Sequence, residues 1–297
     1  MLSVLVPVYN YNIVALVTHI HTQLQLNNIV FEIICFDDGS TTEIVNTNLN
    51  ISNLDFANYI ISKENHGRAS ARQLLAKKAT YSWLLFVDAD VMPKSELYIH
   101  NYLQHIDHGY EAIYGGFAYE KKPPKLEHKL RWSYGKRYEQ ILAKHRNKKP
   151  YKVIISANFM IKKSVFLNIN SQIEQKGYGF DNFFGALLKA NSIKVLHIDN
   201  EVYHLGIETS STYLQKTEKA VDTLLSLHKA NRIKTHQNSL LNLFIVLKQY
   251  KLHYLFSSVY KQFKGTITTN LLSKQPKIKL LQLYKISYMC YKDLRKV

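Results

Sequence analysis

The sequence predicts an α/β fold: a Rossmann-like sheet flanked by helices, followed by a helical extension at the C-terminal end. Two observations predict it. Short apolar runs alternate with amphipathic helical patterns over the first part of the chain, and the chain becomes amphipathic, aromatic and basic from about residue 238. The 297 residues suffice for one large domain with a smaller appendage, and 46% hydrophobic against 21% charged residues excludes global disorder.

Strands and helices alternate in the first part of the chain. The strands predicted from runs rich in β-branched, leucine and aromatic residues are 2–8, 30–36, 59–61, 83–87 and 113–114. The helices predicted between them are 12–26, 67–79 and 95–107. Because this alternation is typical of right-handed crossovers between parallel strands, residues 1–115 are predicted to form a Rossmann-like half.

The pattern changes after the pair Gly115-Gly116. A basic helix is predicted over 125–147, bounded by prolines on both sides. The elements predicted after it are a strand over 153–161, a helix over 179–190, a strand over 193–198 and a helix over 209–231. A boundary near residue 233 would separate one domain, 1–233, from a basic amphipathic helical region, 234–297.

The net charge of +17 is concentrated in two segments. Residues 121–152 contain 12 Lys and Arg against two acids, and residues 232–297 contain 13 against one. The rest of the chain is mildly acidic. An excess of this kind predicts an anionic partner, which composition alone leaves open between nucleic acid, an acidic membrane and a phosphorylated substrate.

Cysteine content and apolar runs bear on the compartment. The two cysteines, Cys35 and Cys290, give no disulfide framework, and Cys35 lies in an apolar run typical of a buried residue. The first residues lack the basic and apolar regions of a signal peptide, and no apolar run is long enough for a spanning helix. We expect a cytoplasmic protein, or one peripheral on the inner face of the membrane.

Polar residues follow three of the predicted strands. They are Pro7 to Asn10, Asp37 to Ser40 and Asp88 to Asp90. Carboxyl ends of neighbouring parallel strands meet at one edge of a sheet, where ligands bind. An Asp-x-Asp turn suits Mg²⁺ or Mn²⁺, which usually bridge to the phosphates of a nucleotide. Each motif alone is more often a simple turn, but both at one edge favour a site.

Eight short motifs follow one another in a characteristic order. They are VPVYN at 6–10, DDGS at 37–40, ENHGRASARQ at 64–73, DAD at 88–90, YGG at 114–116, SANFMIKKSVF at 156–166, GYGFDNFFG at 177–185 and VYHLG at 202–206. In this order they resemble the signature of family 2 glycosyltransferases, which have the GT-A fold, a mixed sheet flanked by helices. The resemblance covers about residues 1–230. It implies a nucleotide-binding half, 1–115, and an acceptor half, 116–233.

The resemblance implies an inverting, metal-dependent transfer of sugar from a nucleotide-sugar donor, a UDP-sugar by analogy, to a hydroxyl of a glycan or lipid-linked acceptor. A composition rich in Lys, Asn, Ile and Tyr suggests a bacterial source, for which surface polysaccharide synthesis is the expected setting. The residues that it implies for the donor are Pro7, Val8, Tyr9, Asp38, Asn65, Gly67, Arg72, Asp88 and Ala89. Asp38 would accept from a base N–H. Arg72 and Arg68 share a helix face toward the diphosphate or ribose, although Arg72 is equally typical of a salt-bridged helix residue.

The metal and the catalytic base are implied in the same way. Asp90 would ligate a divalent cation, Mn²⁺ or Mg²⁺, and His204 would complete the shell unless it is a structural hydrogen-bonding histidine. Asp181 would be the base that takes a proton from the acceptor. Asn182 departs from the acidic pair of the family, and Asp181 could instead only cap its helix, which would leave a weak or inactive homologue.

The acceptor side and the C-terminal region carry three further expectations. Ser156 and Asn158 match a loop on the acceptor side, and Trp132 could stack on a sugar or pack against the core. Segment 238–297 suits an anionic membrane surface, or else consists of helices packed on the catalytic domain with a solvated basic face.

Two other classes of function compete with the enzyme. A nucleic-acid-binding module is suggested by the charge, but no known nucleic-acid motif is evident, so no nucleic acid is expected as a partner. A non-catalytic carbohydrate-assembly protein is suggested by Asn182. Walker A, dinucleotide-binding and Gly-x-Ser-x-Gly patterns are absent from the sequence, which disfavours kinases, dehydrogenases and serine hydrolases.

Overall fold

The computed structural model describes residues 1–173 and 177–295. The chain folds into two compact units, each built from separate stretches of sequence. The first unit comprises Met1–Ala118, Ile141–Lys176 and Asn191–Gly206, and the second comprises Tyr119–Gln140, Gly177–Ala190 and Ile207–Val297. This division differs from the predicted boundary near residue 233, because the chain passes between the units several times before that point.

The first unit contains two sheets. Its strands are β1 Leu2–Val8, β2 Phe31–Asp38, β3 Ala57–Ser62, β4 Trp83–Val87, β5 Val91–Pro93, β6 Ala112–Tyr114, β7 Phe117–Ala118, β8 Asn158–Lys162, β9 Val195–His197 and β10 Val202–His204. The larger sheet has the order β3-β2-β1-β4-β8-β6-β9, and the smaller has the order β5-β10-β7. Nearly every side chain of β1 and β4 is buried, which explains why both read as continuous apolar runs.

The larger sheet is mixed. β3, β2, β1 and β4 are parallel neighbours, whereas β8 runs antiparallel to β4 and to β6. The helices of this unit are α1 Val14–Leu26, α2 Thr42–Asn48, α3 Arg68–Lys78, α4 Tyr98–Leu103, α6 Ala143–Arg146 and α7 Lys163–Asn170. The prediction of a Rossmann-like mixed sheet flanked by helices is therefore confirmed.

Helices build the second unit. They are α5 Lys129–Tyr138, α8 Asp181–Ala190, α9 Ser210–Lys229, α10 Ser239–Gln249, α11 His253–Leu271 and α12 Ile278–Leu294. The basic helix predicted over 125–147 is thus two helices, α5 and α6, which belong to different units. The predicted strand over 153–161 is shorter than expected and begins at Asn158.

The C-terminal helices pack against α9 through tyrosine hydroxyls that donate to buried or half-buried acids. Tyr284 and Tyr260 both donate to Glu218, and Tyr288 donates to Asp222 at 3.0 Å. α12 is mostly covered, since eight of its 17 residues are buried and only Lys279 and Leu294 are exposed. The predicted C-terminal helical region therefore exists, but it is joined to α9 in one unit. No helix in the described residues is both long and apolar enough to cross a membrane.

Candidate active site

The turns after β1 and β2 are hydrogen-bonded to each other. The Asn10 amide donates to Ser40 Oγ at 2.7 Å, and the Thr41 amide donates to Asn10 Oδ1 at 2.8 Å. Of the residues predicted to form the nucleotide wall, Val8 is buried, Pro7 is half-buried and Tyr9 is 56% exposed. Tyr9 thus has a free ring surface beside the strand ends.

The two acids of the DDGS motif have separate tasks. Asp37 is buried and accepts from the Ser40 amide at 2.7 Å and the Tyr59 hydroxyl at 2.5 Å. Asp38 is also buried, and its Oδ1 accepts from the His66 amide at 2.7 Å while its Oδ2 accepts from the Gly67 amide at 2.8 Å. Asp37 therefore shapes its own turn, whereas Asp38 holds a loop that is distant in sequence.

The loop held by Asp38 leads into α3. Asn65 Nδ2 donates to the Asp38 carbonyl oxygen at 3.0 Å. Gly67 precedes the first turn of α3 with φ +84°, a conformation that favours glycine. Asn65, Gly67 and Asp38 are thereby brought together at the edge of the sheet.

The buried Arg72 and the half-buried Asp88 form an ion pair at the same edge. Arg72 Nη2 donates to Asp88 Oδ1 and, at 3.3 Å, to the Ser156 carbonyl oxygen. The structure therefore has the salt-bridged arrangement of Arg72 that the sequence left open. Because the Ser156 carbonyl oxygen and Asp88 accept from the same Arg72 nitrogen, the backbone of Ser156 lies near Asp88. Ala89, the next residue after Asp88, is buried.

The side chains of Asp90 and His204 lie close together where two strands of the smaller sheet pair. β10 pairs antiparallel with β5, with His204 opposite Val91, the residue after Asp90. His204 Nε2 lies 3.5 Å from Asp90 Oδ2, and the imidazole stacks on Phe117 with the ring centroids 5.0 Å apart. A Cβ at Gly206 would overlap the Asp90 carboxylate, so only glycine fits there.

The surroundings of Asp90 favour its charged form. Burial acts to raise the pKa of Asp90, but the hydrogen bond and charge of His204, together with the charge of Arg68, bring it below its ordinary value. Burial and, second, the charge of Asp90 raise the pKa of the Tyr11 hydroxyl. Tyr11 was not predicted from the sequence as a site residue. Its position directly after the VPVYN motif is the one signal that could have identified it.

The Asp90–His204 pair fits a divalent cation. A carboxylate oxygen and the nitrogen of a neutral imidazole are ligands that Mn²⁺ accepts, and Asp90 Oδ2 and His204 Nε2 lie 3.5 Å apart. Within the described parts of the chain, no group of three or more His, Cys, Asp or Glu residues could form a complete cage. Such a pair therefore suits a cation that takes its remaining ligands from phosphate oxygens and water.

Asn158 does not lie on an acceptor surface. It is fully buried, and its Oδ1 accepts from the hydroxyls of Tyr98 at 2.7 Å and Tyr102 at 2.6 Å. Its Nδ2 donates to the carbonyl oxygens of Gly116 at 2.8 Å and Asn200 at 2.9 Å. Since all four of its hydrogen-bonding positions are used inside the protein, the structure corrects this placement.

The remaining predicted site residues belong to the second unit. Asp181 is exposed at the first residue of α8, and the neighbouring Asn182 accepts from Asn238 Nδ2 at 2.7 Å. Asn182 thus ties the start of α8 to the start of α10. Trp132 is half-buried; its Nε1 donates to the Glu120 carbonyl oxygen at 3.1 Å, and Lys136 lies over its ring.

The mixed seven-stranded sheet flanked by helices is typical of the GT-A fold, and comparison with known proteins agrees. The profile of glycosyl transferase family 2 matches residues 3–169, so the chain belongs to that family. The prediction of family and fold is confirmed, and at the level of the family so is the prediction of a glycosyltransferase. An uncharacterized glycosyltransferase of Rickettsia bellii is 34% identical over 102 residues.

That match is partial: it covers 34% of this chain and 14% of the length of the Rickettsia relative. Two solved structures share the fold more completely. The mannosyltransferase PcManGT of Pyrobaculum calidifontis, in complex with GDP-Man and Mn²⁺, is 14% identical with a TM-score of 0.55, covering 99% of this chain and 86% of its own. S. aureus TarS 1-349 with UDP-GlcNAc is 13% identical with a TM-score of 0.52, covering 98% and 90%.

Proposed function

We propose that this protein is an inverting, metal-dependent glycosyltransferase that moves a sugar from a nucleotide-sugar donor to a hydroxyl of a glycan or lipid-linked acceptor. The observation that carries the proposal is the Asp90–His204 pair, 3.5 Å apart, in which Asp90 lies two residues after Asp88 in the turn between β4 and β5 and His204 ends β10 of the smaller sheet. Membership of family 2 supports the reaction class. A UDP-sugar is the donor that we expect.

The donor side of the proposal rests on the hydrogen-bonded turns and on Asp38. Among the described residues, Asp38 Oδ2 accepts from the Gly67 amide at 2.8 Å, and a carboxylate oxygen has a second acceptor position that a base N–H can use. Pro7, Val8 and Tyr9 would form the wall of the base site. Asn65 and Gly67 would bring backbone close to the nucleotide, and Asp88, held by Arg72, would face the ribose.

The metal side rests on Asp90 and His204, which would hold Mn²⁺ or Mg²⁺. A cation bound there would supply positive charge to the diphosphate as the glycosidic bond breaks. Arg68 adds a second positive charge beside Asp90. Together these residues would stabilise the leaving group where its negative charge develops.

Asp181 is proposed as the base. As the bond between the anomeric carbon and the diphosphate oxygen breaks, the acceptor oxygen bonds to that carbon from the opposite side, and the hydroxyl proton passes to the Asp181 carboxylate. The displacement inverts the anomeric centre. Ser156 and Trp132 are proposed for the acceptor side.

The expected partners are the donor and the acceptor, together with an anionic membrane surface contacted by the C-terminal region. A cytoplasmic protein that binds the inner face of the membrane, active in surface polysaccharide synthesis, fits these partners. No nucleic acid is expected, since acids at the edge of the sheet would repel its phosphates.

A thermal-shift screen of UDP-, GDP- and dTDP-sugars, each with and without Mn²⁺, tests the proposal. A ligand that binds the folded state raises the unfolding temperature by mass action. We expect one nucleotide class to stabilise the protein, and to do so only with Mn²⁺. If none of the nucleotide sugars shifts the transition in either condition, the proposed activity is wrong.

A further inference from the structure

An apolar surface lies around the turn between α10 and α11. Its members, here called the 243–255 surface, are aliphatic or aromatic residues that are each between 46 and 67% exposed: Leu243, Val246, Tyr250, Leu252, Tyr254 and Leu255. Leu243, Val246 and Tyr250 are spaced i, i+3, i+7 and so form one stripe along α10. An apolar patch of this kind usually marks an interaction site.

The opposite side of α10 already supplies the contacts that fold the unit. Leu241, Phe244 and Leu247 are buried there. The side chains of the 243–255 surface are therefore not part of the packing that holds α10 in the unit. In the described residues, α10 and α11 turn this second apolar stripe to solvent.

The charge around the 243–255 surface has one sign. The sequence contains no Asp or Glu from 223 to 292. Lys251 lies in the turn itself with φ +60°, and Lys261 is exposed seven residues after Tyr254, on the same side of α11. Lys248, by contrast, is neutralised by Asp293 at 2.8 Å.

We propose that the 243–255 surface docks on an anionic lipid bilayer. Leucine and valine side chains enter the boundary between headgroups and acyl chains, tyrosines stay at headgroup level, and Lys251 and Lys261 contact lipid phosphates. α10 and α11 have 11 and 19 residues and pack against the rest of the unit on their other side. They therefore lie along the surface of the bilayer. Charge complementarity favours this occupant over a second, equally basic copy of the chain.

This inference sharpens the membrane contact in the proposed function from residues 238–297 to one turn. It removes α12 from the contact because α12 is mostly covered. Docking does not require catalysis, so the two proposals can fail separately.

Vesicle flotation with the full chain tests the proposal. The probes are vesicles of phosphatidylcholine alone and vesicles with one quarter phosphatidylglycerol. We expect flotation only with the anionic vesicles, decreasing as salt is added. The double variant Val246→Ser/Leu255→Ser should weaken binding by at least about tenfold. Its matched control is Leu26→Ser/Leu97→Ser, which removes two aliphatic residues of the first unit that are 79 and 59% exposed, and this variant should float like the wild type.

A charge pair completes the test. Lys251→Gln/Lys261→Gln should lower anionic flotation and flatten its salt dependence, whereas Lys77→Gln/Lys78→Gln, on exposed residues of α3, should not. Nucleotide-sugar binding in vesicle-free buffer should be unchanged in all four variants. The proposal is overturned if the chain fails to float with anionic vesicles, if Val246→Ser/Leu255→Ser floats equally well, or if that variant abolishes a dimer instead.

Discussion

At the scale of single residues, the pKa of Asp90 lies below its ordinary value although burial acts to raise it. His204 and Arg68 provide the compensating positive character, and Gly206 leaves room for the carboxylate. One methyl group added at position 206 is therefore expected to disturb the site, although Gly206 itself has no side chain that could bind or react.

Substitution of this glycine gives a sharp prediction. Gly206→Ala places a Cβ against the Asp90 carboxylate, so the pair with His204 must separate. We expect Mn²⁺-dependent stabilisation by the nucleotide to fall at least about tenfold in apparent affinity. Gly265→Ala is the matched control, since Gly265 lies in α11 with open space around it and should leave nucleotide binding intact. Equal binding by both variants would contradict the geometry.

The sequence predicted Asp90 and His204 because each lies at a strand end within a recognisable motif. It placed Asn158 wrongly because the motif gives its position in the chain but not its partners. Asn158 points into the core, toward the hydroxyls of Tyr98 and Tyr102, which lie far from it in sequence. The partners of Asp38 were equally hidden, since they come from 28 residues further along the chain.

At the scale of elements, β9 ends in a histidine that is held neutral. His197 Nε2 donates to the Pro150 carbonyl oxygen at 2.8 Å, and its Nδ1 accepts from Arg146 Nη1 at 2.9 Å. Burial lowers the pKa of His197 to about 4; the Pro150 carbonyl opposes this and the charge of Arg146 adds to it. A proton on Nδ1 would both break the bond from Arg146 and place two positive charges together.

A dependence of stability on pH follows. In the unfolded chain the pKa of His197 returns to its ordinary value, about 6.5. Between about 6.5 and about 4 the unfolded state binds more protons, so the free energy of unfolding falls as the pH falls through this window, by up to about 3 kcal/mol. Urea denaturation at several pH values measures it.

The variant His197→Gln keeps a donor and an acceptor but cannot titrate. It should show a flatter decrease of stability over the same pH window, whereas His100→Gln, at an exposed position, should keep the slope of the wild type. An identical slope in both variants would mean that other groups cause the acid destabilisation.

Secondary structure was more predictable than its assembly. Strands β1 and β4 follow directly from apolar runs, and α3 from its apolar face. The break between α5 and α6 did not follow, because Leu142 and its neighbours continue the basic helical pattern across the point where the chain leaves the second unit. Local propensity carries no information about such a crossing.

At the scale of the whole molecule, the C-terminal helices complete a unit that includes α5, α8 and α9. Their tyrosines reach Glu218 and Asp222 on α9, and Lys229 and Lys248 share Asp293. The apparent domain boundary at residue 233 is a loop inside this unit. The composition changes near residue 233, and this change predicted a separate domain. Composition reflects surface chemistry and does not show which helices contact one another.

Truncation distinguishes the two descriptions. A chain ending at Ile233 would lack α12, whose Tyr284 and Tyr288 donate to Glu218 and Asp222 of α9, a helix that also carries the buried residues Val221 and Leu224. We expect this shortened chain to aggregate or to unfold at a markedly lower temperature, measured by scattering and circular dichroism. A soluble 1–233 fragment with the transition of the full chain would instead support an independent C-terminal domain.

The central claim is that Asp90 and His204 hold the divalent cation through which the donor binds. Calorimetric titration of the selected nucleotide into the wild type and Asp90→Asn, with and without Mn²⁺, tests it most directly. We predict that Mn²⁺ tightens binding to the wild type by at least about a hundredfold and leaves Asp90→Asn unaffected, while the exposed control Asp55→Asn behaves as the wild type. Binding by the wild type that is equally tight without Mn²⁺, or a full Mn²⁺ effect in Asp90→Asn, would contradict it.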